Sequence, residues 1–148
     1  MHPVNVIANK INELKLPAHI IMKLVIGDFG CGKGELMELL KENKMYSFDH
    51  HKIINEKIIP CDMKSVPIKD EKLDIAIFSL SLMGTNWPDY IVEAKRCLAK
   101  NGFLFIAETT KSLNVRLSEL RNVVIENGFQ IYDEEEIGDF TFIQARKI

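Results

Sequence analysis

Cysteine is scarce in this chain: Cys31, Cys61 and Cys97 are the whole complement. No two of them are spaced as Cys-x-x-Cys and the count is odd, so neither a disulfide framework nor a zinc site is indicated, and the expected compartment is reducing. Long apolar runs are missing too. None approaches the roughly 20 residues of a membrane span, and the start has no basic stretch leading into an apolar one, so the expectation is a soluble, intracellular protein without a membrane partner. Positive charge is not in excess. The net charge of −2 excludes the basic domain that usually marks nonspecific nucleic-acid binding, and any RNA contact falls to a local patch. Lys33, Lys52, Lys64 and Lys111 are candidates for such a rim, with scattered solvated lysines as the default reading. Repeats, low-complexity segments and linkers are absent as well. What is present is 148 residues, 47% hydrophobic and 27% charged, the composition of one globular domain over residues 1–148.

The stretch Leu24 to Gly34, Leu-Val-Ile-Gly-Asp-Phe-Gly-Cys-Gly-Lys-Gly, organises the rest. Leu24, Val25 and Ile26 read as a strand buried on both faces, and glycines at 30, 32 and 34 then turn the chain tightly. Glu35 to Lys44 carries Leu36, Leu39 and Leu40 at helical spacing, with Glu35 in the first turn, where an acid favours the helix dipole. Strand, glycine turn and helix in that order present backbone N–H groups to a ligand at the helix start. Spacing narrows the ligand. A dinucleotide fingerprint needs a sixth-place glycine where Glu35 stands, and a phosphate loop needs a Gly-Lys-Ser/Thr ending that is absent. Asp28 to Gly34, Asp-x-Gly-x-Gly-x-Gly, resembles instead the first motif of class I S-adenosylmethionine-dependent methyltransferases. The pattern suits a cationic cofactor without phosphate: Gly30, Gly32 and Gly34, with Cys31 between them, admit it close to the backbone, and Asp28 supplies negative charge for its ammonium group. The alternative is a glycine-rich turn of any α/β protein, with Asp28 only bracing the loop.

Along the chain, Val4, Ile7, Ile11 and Leu14 line one face of an amphipathic helix over residues 3–15 that packs on a sheet, with Pro3 at its start. Met45–Phe48, Lys57–Pro60, Leu73–Phe78 and Phe103–Ala107 read as further strands. Asn86 is placed to cap a helix over Trp87–Lys100 that Asn101-Gly102 stops, and a second helix spans Ser112–Glu126. Phe129–Tyr132 and Phe140–Ala145 read as strands joined by the acidic connection Asp133–Asp139, an antiparallel hairpin. Alternating strands and helices imply an α/β fold with a doubly wound, mostly parallel, seven-stranded Rossmann-like sheet, the class I methyltransferase plan, ending in that hairpin.

In such a sheet a ligand lies across the carboxyl ends of the strands, where the residues closing successive strands converge. Asp49 closes the second strand 21 residues after Asp28, near the separation at which an acid accepts from ribose hydroxyls. Asp62 closes the third and is suited to the adenine amino group, while Met63 offers a backbone N–H and a polarizable flank; a loop cap is the other reading of Asp62. Ser79 closes the fourth strand and borders the same edge. Cys31 and Cys61 read as small apolar lining. His50 and His51 are adjacent, with no partner at metal-ligand spacing, so no metal site is expected. Both read as solvated loop residues by default, and His50, next to Asp49, stands with the cofactor set. Met83, Gly84, Thr85, Asn86 and Trp87 follow the fourth strand, where a methyl acceptor is placed. Thr85 and Asn86 are suited to orienting a nucleobase and Trp87 to stacking on it; helix cap and core residue are the competing roles of the last two. Methyl transfer from a sulfonium is an in-line displacement that alignment accelerates without a strong base, and no catalytic residue is singled out.

Asp28-Phe29-Gly30-Cys31-Gly32, Ser47-Phe48-Asp49, Cys61-Asp62-Met63 and above all Phe78-Ser79-Leu80-Ser81-Leu82-Met83-Gly84-Thr85-Asn86 resemble the methyltransferase domain of the ribosomal RNA-processing protein 8 (nucleomethylin) family, from Pro3-Val4 to the final strand. The resemblance implies S-adenosylmethionine as cofactor and S-adenosylhomocysteine as product. It implies methylation of adenine N1 in large-subunit ribosomal RNA, with Gly30, Asp49, Asp62, Met63 and Ser79 at cofactor-contact positions. A nucleolar setting follows for a eukaryotic member and a cytoplasmic one otherwise. It also implies an upstream segment with a His-x-Gly-Phe motif closing the cofactor site, of which this chain carries only the end, and it lacks the family's long basic extensions. Two other readings compete: a methyltransferase of small molecules or proteins, in keeping with the near-neutral charge, and a noncatalytic cofactor-binding recruitment module.

Overall fold

The computed structural model describes residues 2–50 and 56–148; His51 and Lys52, named above, lie outside the described residues. The elements in chain order are α1 (Pro3–Asn12), α2 (Ala18–Ile21), β1 (Ile26–Phe29), α3 (Glu35–Leu39), β2 (Met45–Asp49), β3 (Ile58–Pro60), β4 (Leu73–Ser79), α4 (Trp87–Cys97), β5 (Leu98–Thr109), α5 (Thr110–Leu113), α6 (Leu117–Glu126), β6 (Phe129–Ile137) and β7 (Phe140–Lys147). The strands form one seven-stranded sheet in the order β3-β2-β1-β4-β5-β7-β6. Pairing is parallel from β3 through β5, and β7 runs antiparallel to both its neighbours. This is the doubly wound, mostly parallel class I methyltransferase sheet with its C-terminal hairpin.

Each face of the sheet is covered because each carries its own apolar set. Alternate residues Ile26, Ile75, Ile77, Phe105 and Phe142 join Val4, Ile7, Ala8 and Ile11 of α1 and Leu36 and Leu40 near α3 in one buried cluster. The spacing of those four α1 residues is one helical stripe, and His2 Nδ1 accepts the N–H of Val4 at 3.2 Å to start the helix. On the other face Phe29 lies between Phe48 and Phe78, with ring centroids 5.2 and 5.0 Å away. Trp87, Ile91, Leu120 and Val124 of α4 and α6 complete that core.

Several boundaries differ from the sequence expectation for local reasons. β1 starts at Ile26 and runs through Gly27-Asp28-Phe29 instead of covering Leu24–Ile26, because β2 and β4 pair with those residues. The helix expected to Lys44 stops at Leu39: Leu36 and Leu40 are buried while Leu39 stays exposed, and Asn43 donates to the carbonyls of Ile21 and Leu24, turning the chain. α1 ends at Asn12 rather than at 15, and the short α2 was not foreseen. α4 ends at Cys97, and the left-handed residue Asn101 (φ 67°) falls within the irregular start of β5. The helix expected over Ser112–Glu126 is two, α5 and α6, broken at Arg116 (φ −132°). The acidic stretch after Tyr132 is strand, not connection. β6 continues to Ile137, the turn is Gly138-Asp139, and the acids find bases: Glu134 pairs with Arg121, and Glu135 accepts from Lys10 at 2.8 Å.

Candidate functional site

The turn after β1 is built by backbone hydrogen bonds to the neighbouring strand. Gly30 and Cys31 both donate to the carbonyl of Phe48, at 2.8 and 2.9 Å, and Gly34 donates to Cys31 at 3.0 Å. Gly30 is required twice over. Its φ is +86°, and a Cβ there would stand 2.5 Å from Ser81 Cβ and 3.3 Å from Met63 Sδ. Gly34, also left-handed, begins α3, which has five residues, and the N–H groups of Gly30, Cys31, Gly32 and Gly34 are all donated within the protein, so the expectation that the turn presents its backbone donors to a ligand is not met at those four residues.

Carboxylates gather beside this turn. Asp49, closing β2 and 6% exposed, accepts the N–H of Gly32 on Oδ2 at 2.9 Å. Asp28 is 2% exposed, and its Oδ1 is buried without a hydrogen-bond partner. Burial first, then the charges of Asp49 and Glu35, push its carboxyl up to about 7. Ser47, the cross-strand neighbour of Asp28, and Ser81, against Gly30, carry hydroxyl oxygens that are likewise buried and unpartnered. Buried polar atoms in folded proteins are nearly always satisfied. Three orphans near one glycine turn therefore fit a polar ligand seated there; the space beside Gly30 is filled by Ser81 and Met63, and the open side of the turn is at Gly32, where a Cβ would meet nothing within 4 Å. A cationic, phosphate-free nucleoside suits two acids better than any phosphate does.

The remaining sequence candidates distribute as follows. Met63 is 4% exposed and packs against the turn. Asp62 is exposed and accepts the N–H of Lys64 on Oδ1 at 3.0 Å, the loop-cap geometry, with Oδ2 3.9 Å from Lys64 Nζ. Its loop is held to α4 by Glu93, which accepts the N–H of Val66 at 2.6 Å and pairs with Arg96; Arg96 in turn donates to the carbonyls of Val66 and Ile68. His50 lies on the exposed side, its Nδ1 4.0 Å from Asp49 Oδ1. Ser79 ends β4 opposite Ala107. Cys31 and Cys61 have thiols pushed up by burial first and nearby carboxylates second, Cys31 to about 12, the reverse of what a nucleophile needs.

In the segment after β4, Met83, Gly84 and Thr85 are exposed. Asn86 precedes α4 but makes no side-chain cap; its Oδ1 accepts from the Tyr90 hydroxyl at 3.1 Å. Trp87 takes the competing role, that of a core residue: it is 7% exposed, and the Arg116 guanidinium lies 5.8 Å from its ring centroid. Sequence reasoning missed Ser47, Ser81, Glu108 and Arg116. Ser47 was within reach, since period-two alternation puts it on the face of Asp49, and Glu108 is a further acid directly after an apolar strand. Nothing local marks Ser81 or Arg116. A separate cavity of about 700 Å³ lies between the end of α1 and the sheet, lined by Leu14, Phe103, Tyr132, Gln144 and Arg146 among others. None of the candidate residues borders it. Among the described residues there is no group of three or more potential metal ligands, and no helix is long and apolar enough to cross a membrane.

Comparison with known proteins gives a consistent picture. Residues 1–148 match a family described as "Hypothetical methyltransferase". Ribosomal RNA-processing protein 8 of Dictyostelium discoideum is 34% identical over 150 residues, covering 100% of this chain and 36% of that protein. The 25S rRNA (adenine(645)-N(1))-methyltransferase of Schizosaccharomyces pombe is 35% identical over 99 residues, covering 66% of this chain and 31% of that protein. The chain thus spans about a third of the length of these relatives. Among solved structures, the 1,6-didemethyltoxoflavin-N1-methyltransferase of Burkholderia thailandensis, with bound S-adenosylhomocysteine, superposes with a TM-score of 0.74 at 14% identity, covering 97% of this chain and 77% of that one. A SAM-dependent methyltransferase from Aquifex aeolicus gives 0.71 at 14% identity, covering 95% and 98%.

Proposed function

Because the chain belongs to the family described as "Hypothetical methyltransferase", we propose that it is an S-adenosylmethionine-dependent methyltransferase whose acceptor is N1 of an adenine in large-subunit ribosomal RNA. The observation that carries the cofactor assignment is the meeting of Asp28, Asp49 and the Gly30–Gly34 turn at one sheet edge, with buried polar atoms left unpartnered around it. Asp28 would face the ammonium of the methionyl group, and Asp49 the ribose hydroxyls while still holding Gly32. The N–H of Met63 and the carboxylate of Asp62 would meet the adenine, with Ser79 bordering it. When bound, the cofactor supplies an electrophilic methyl on a sulfonium sulfur. The protein's own part is to align that methyl with the acceptor and to exclude water, which proximity alone makes effective. Met83–Asn86, following β4, is the wall past which the base would approach.

The acceptor assignment is supported by the relatives named for ribosomal RNA processing and for 25S rRNA adenine N1 methylation. In a eukaryotic cell the reading places the protein in the nucleolus. The test is transfer of label from S-adenosylmethionine to unmodified large-subunit RNA, followed by nucleoside analysis. 1-Methyladenosine is the expected product. Label confined to small metabolites or protein would overturn the RNA acceptor, and cofactor binding without any transfer would favour a recruitment module.

A further inference from the structure

Glu108 closes the apolar part of β5 much as Asp49 closes β2, yet it faces no open edge. Its side chain is wholly buried, with Oε1 accepting the N–H of Leu82 at 3.1 Å. Arg116, at the start of α6, donates from Nη1 to the carbonyl of the same Leu82 at 2.9 Å. The two side chains pair with each other, Nη2 to Oε1, at 3.5 Å. One acid–base pair therefore holds both backbone groups of a single loop residue. That residue is the buried point of the segment leaving β4. Before it, Leu80 takes a left-handed φ of +58° and donates to the carbonyl of Ala107 at 2.8 Å, a conformation a leucine keeps only where its surroundings over-determine it. Ser81 packs against Gly30. After it, Met83 is 67% exposed. The Arg116 guanidinium also covers Trp87, the first residue of α4.

We propose that Glu108 and Arg116 are positioning residues that grip Leu82 and so set the segment Leu80–Asn86 as the acceptor-side wall of the site, in fixed relation to the glycine turn. The inference rests on the methyltransferase reading for what the wall faces, and on the contacts alone for the grip. A buried pair kept only for stability is replaceable by apolar side chains at little cost, whereas this one leaves Glu108 Oε2 and Arg116 Nη2 buried without hydrogen-bond partners. Those costs are understandable where the geometry of Leu82 is what the pair secures.

The experiment combines amide hydrogen exchange with steady-state kinetics on three variants. Arg116→Met removes the guanidinium, and with it both the donor to Leu82 and the contact with the Trp87 ring, while keeping an unbranched side chain; Glu108→Leu removes the acceptor; Glu108→Gln keeps it. The first two should speed exchange within residues 80–86 about tenfold or more while leaving β1 and β2 as they were. They should also lower kcat/KM for the RNA about tenfold with S-adenosylhomocysteine affinity nearly unchanged, and Glu108→Gln should recover most of both. Unchanged exchange at 80–86, or acceleration spread evenly through the chain, would overturn the proposal. Failure of Glu108→Gln to recover would do the same. If the wild-type protein transfers no methyl group, the methyltransferase reading falls by itself, and the exchange measurement still decides the grip.

Discussion

Asp49 Oδ2 accepts the backbone N–H of Gly32 at 2.9 Å, so the acid that ends β2 and the turn that leaves β1 are one unit before any ligand arrives. Removing the carboxylate therefore removes both an acceptor for the cofactor and the brace that shapes its seat. Two charge-assisted hydrogen bonds of about 1.5–3 kcal/mol each would be lost, so Asp49→Ala should weaken S-adenosylhomocysteine binding roughly a hundred- to ten-thousand-fold. Asp49→Asn, which keeps an acceptor for Gly32, should fall between. Titration calorimetry reads both, and an alanine variant binding as tightly as wild type would remove Asp49 from the site.

Two glycines of the turn should respond differently to the same substitution. Both are left-handed, φ +86° at Gly30 and +58° at Gly32, but a Cβ at Gly32 meets nothing within 4 Å while one at Gly30 stands 2.5 Å from Ser81 Cβ. Gly32→Ala should cost only the conformational strain, about 1–2 kcal/mol. Gly30→Ala should add an overpacking term of about 1–3 kcal/mol. Urea unfolding measures the difference, and equal losses would mean that Ser81 moves aside freely.

Asp28 makes the stability of the protein depend on pH in a direction that can be worked out. Its carboxyl is raised from 3.8 to about 7, so the native state favours the protonated form more than the unfolded chain does. The contribution is fully present below pH 3.8 and is lost as pH rises through about 7, at no more than about 1.4 kcal/mol per pH unit. Glu108, also raised by burial, acts in the same sense. The comparison is therefore with Asp28→Asn, which stays neutral and isolates one group. Stability of the variant relative to wild type should climb over the window from 3.8 to about 7 and then level off. A flat difference across that window would show that Asp28 is not the titrating group.

The legibility of this fold follows from which forces are local. Strand–glycine–helix order and the 21-residue step from Asp28 to Asp49 are properties of short stretches of sequence, and the structure places both acids beside the same turn. The extent of β1 is set by β2 and β4 pairing on either side of it, which no window of eleven residues contains. The acids of β6 read as a connection because that strand is at the sheet edge and has no clean buried face; their partners Lys10 and Arg121 come from elsewhere in the chain. Ser81 and Arg116 matter through what they touch after folding, 51 and 34 residues away at Gly30 and Leu82. Spacing carries no trace of such contacts.

Trp87 and Met83 offer the sharpest separation of core from acceptor wall. They are four residues apart and both were candidates for meeting a nucleobase, yet Trp87 is 7% exposed under Arg116 and Met83 is 67% exposed. Trp87→Ala should leave a large cavity beside Ile91 and Leu120 and cost about 3–5 kcal/mol, so its activity would be lost through unfolding. Met83→Ala changes a solvated side chain and should alter stability by no more than about 0.5 kcal/mol. If Met83 flanks the incoming adenine, the same variant raises KM for RNA while leaving the thermal midpoint and S-adenosylhomocysteine affinity in place. Urea unfolding followed by methyl-transfer kinetics on the two variants makes the comparison. A Met83→Ala enzyme with wild-type KM would move the acceptor away from this stretch of wall.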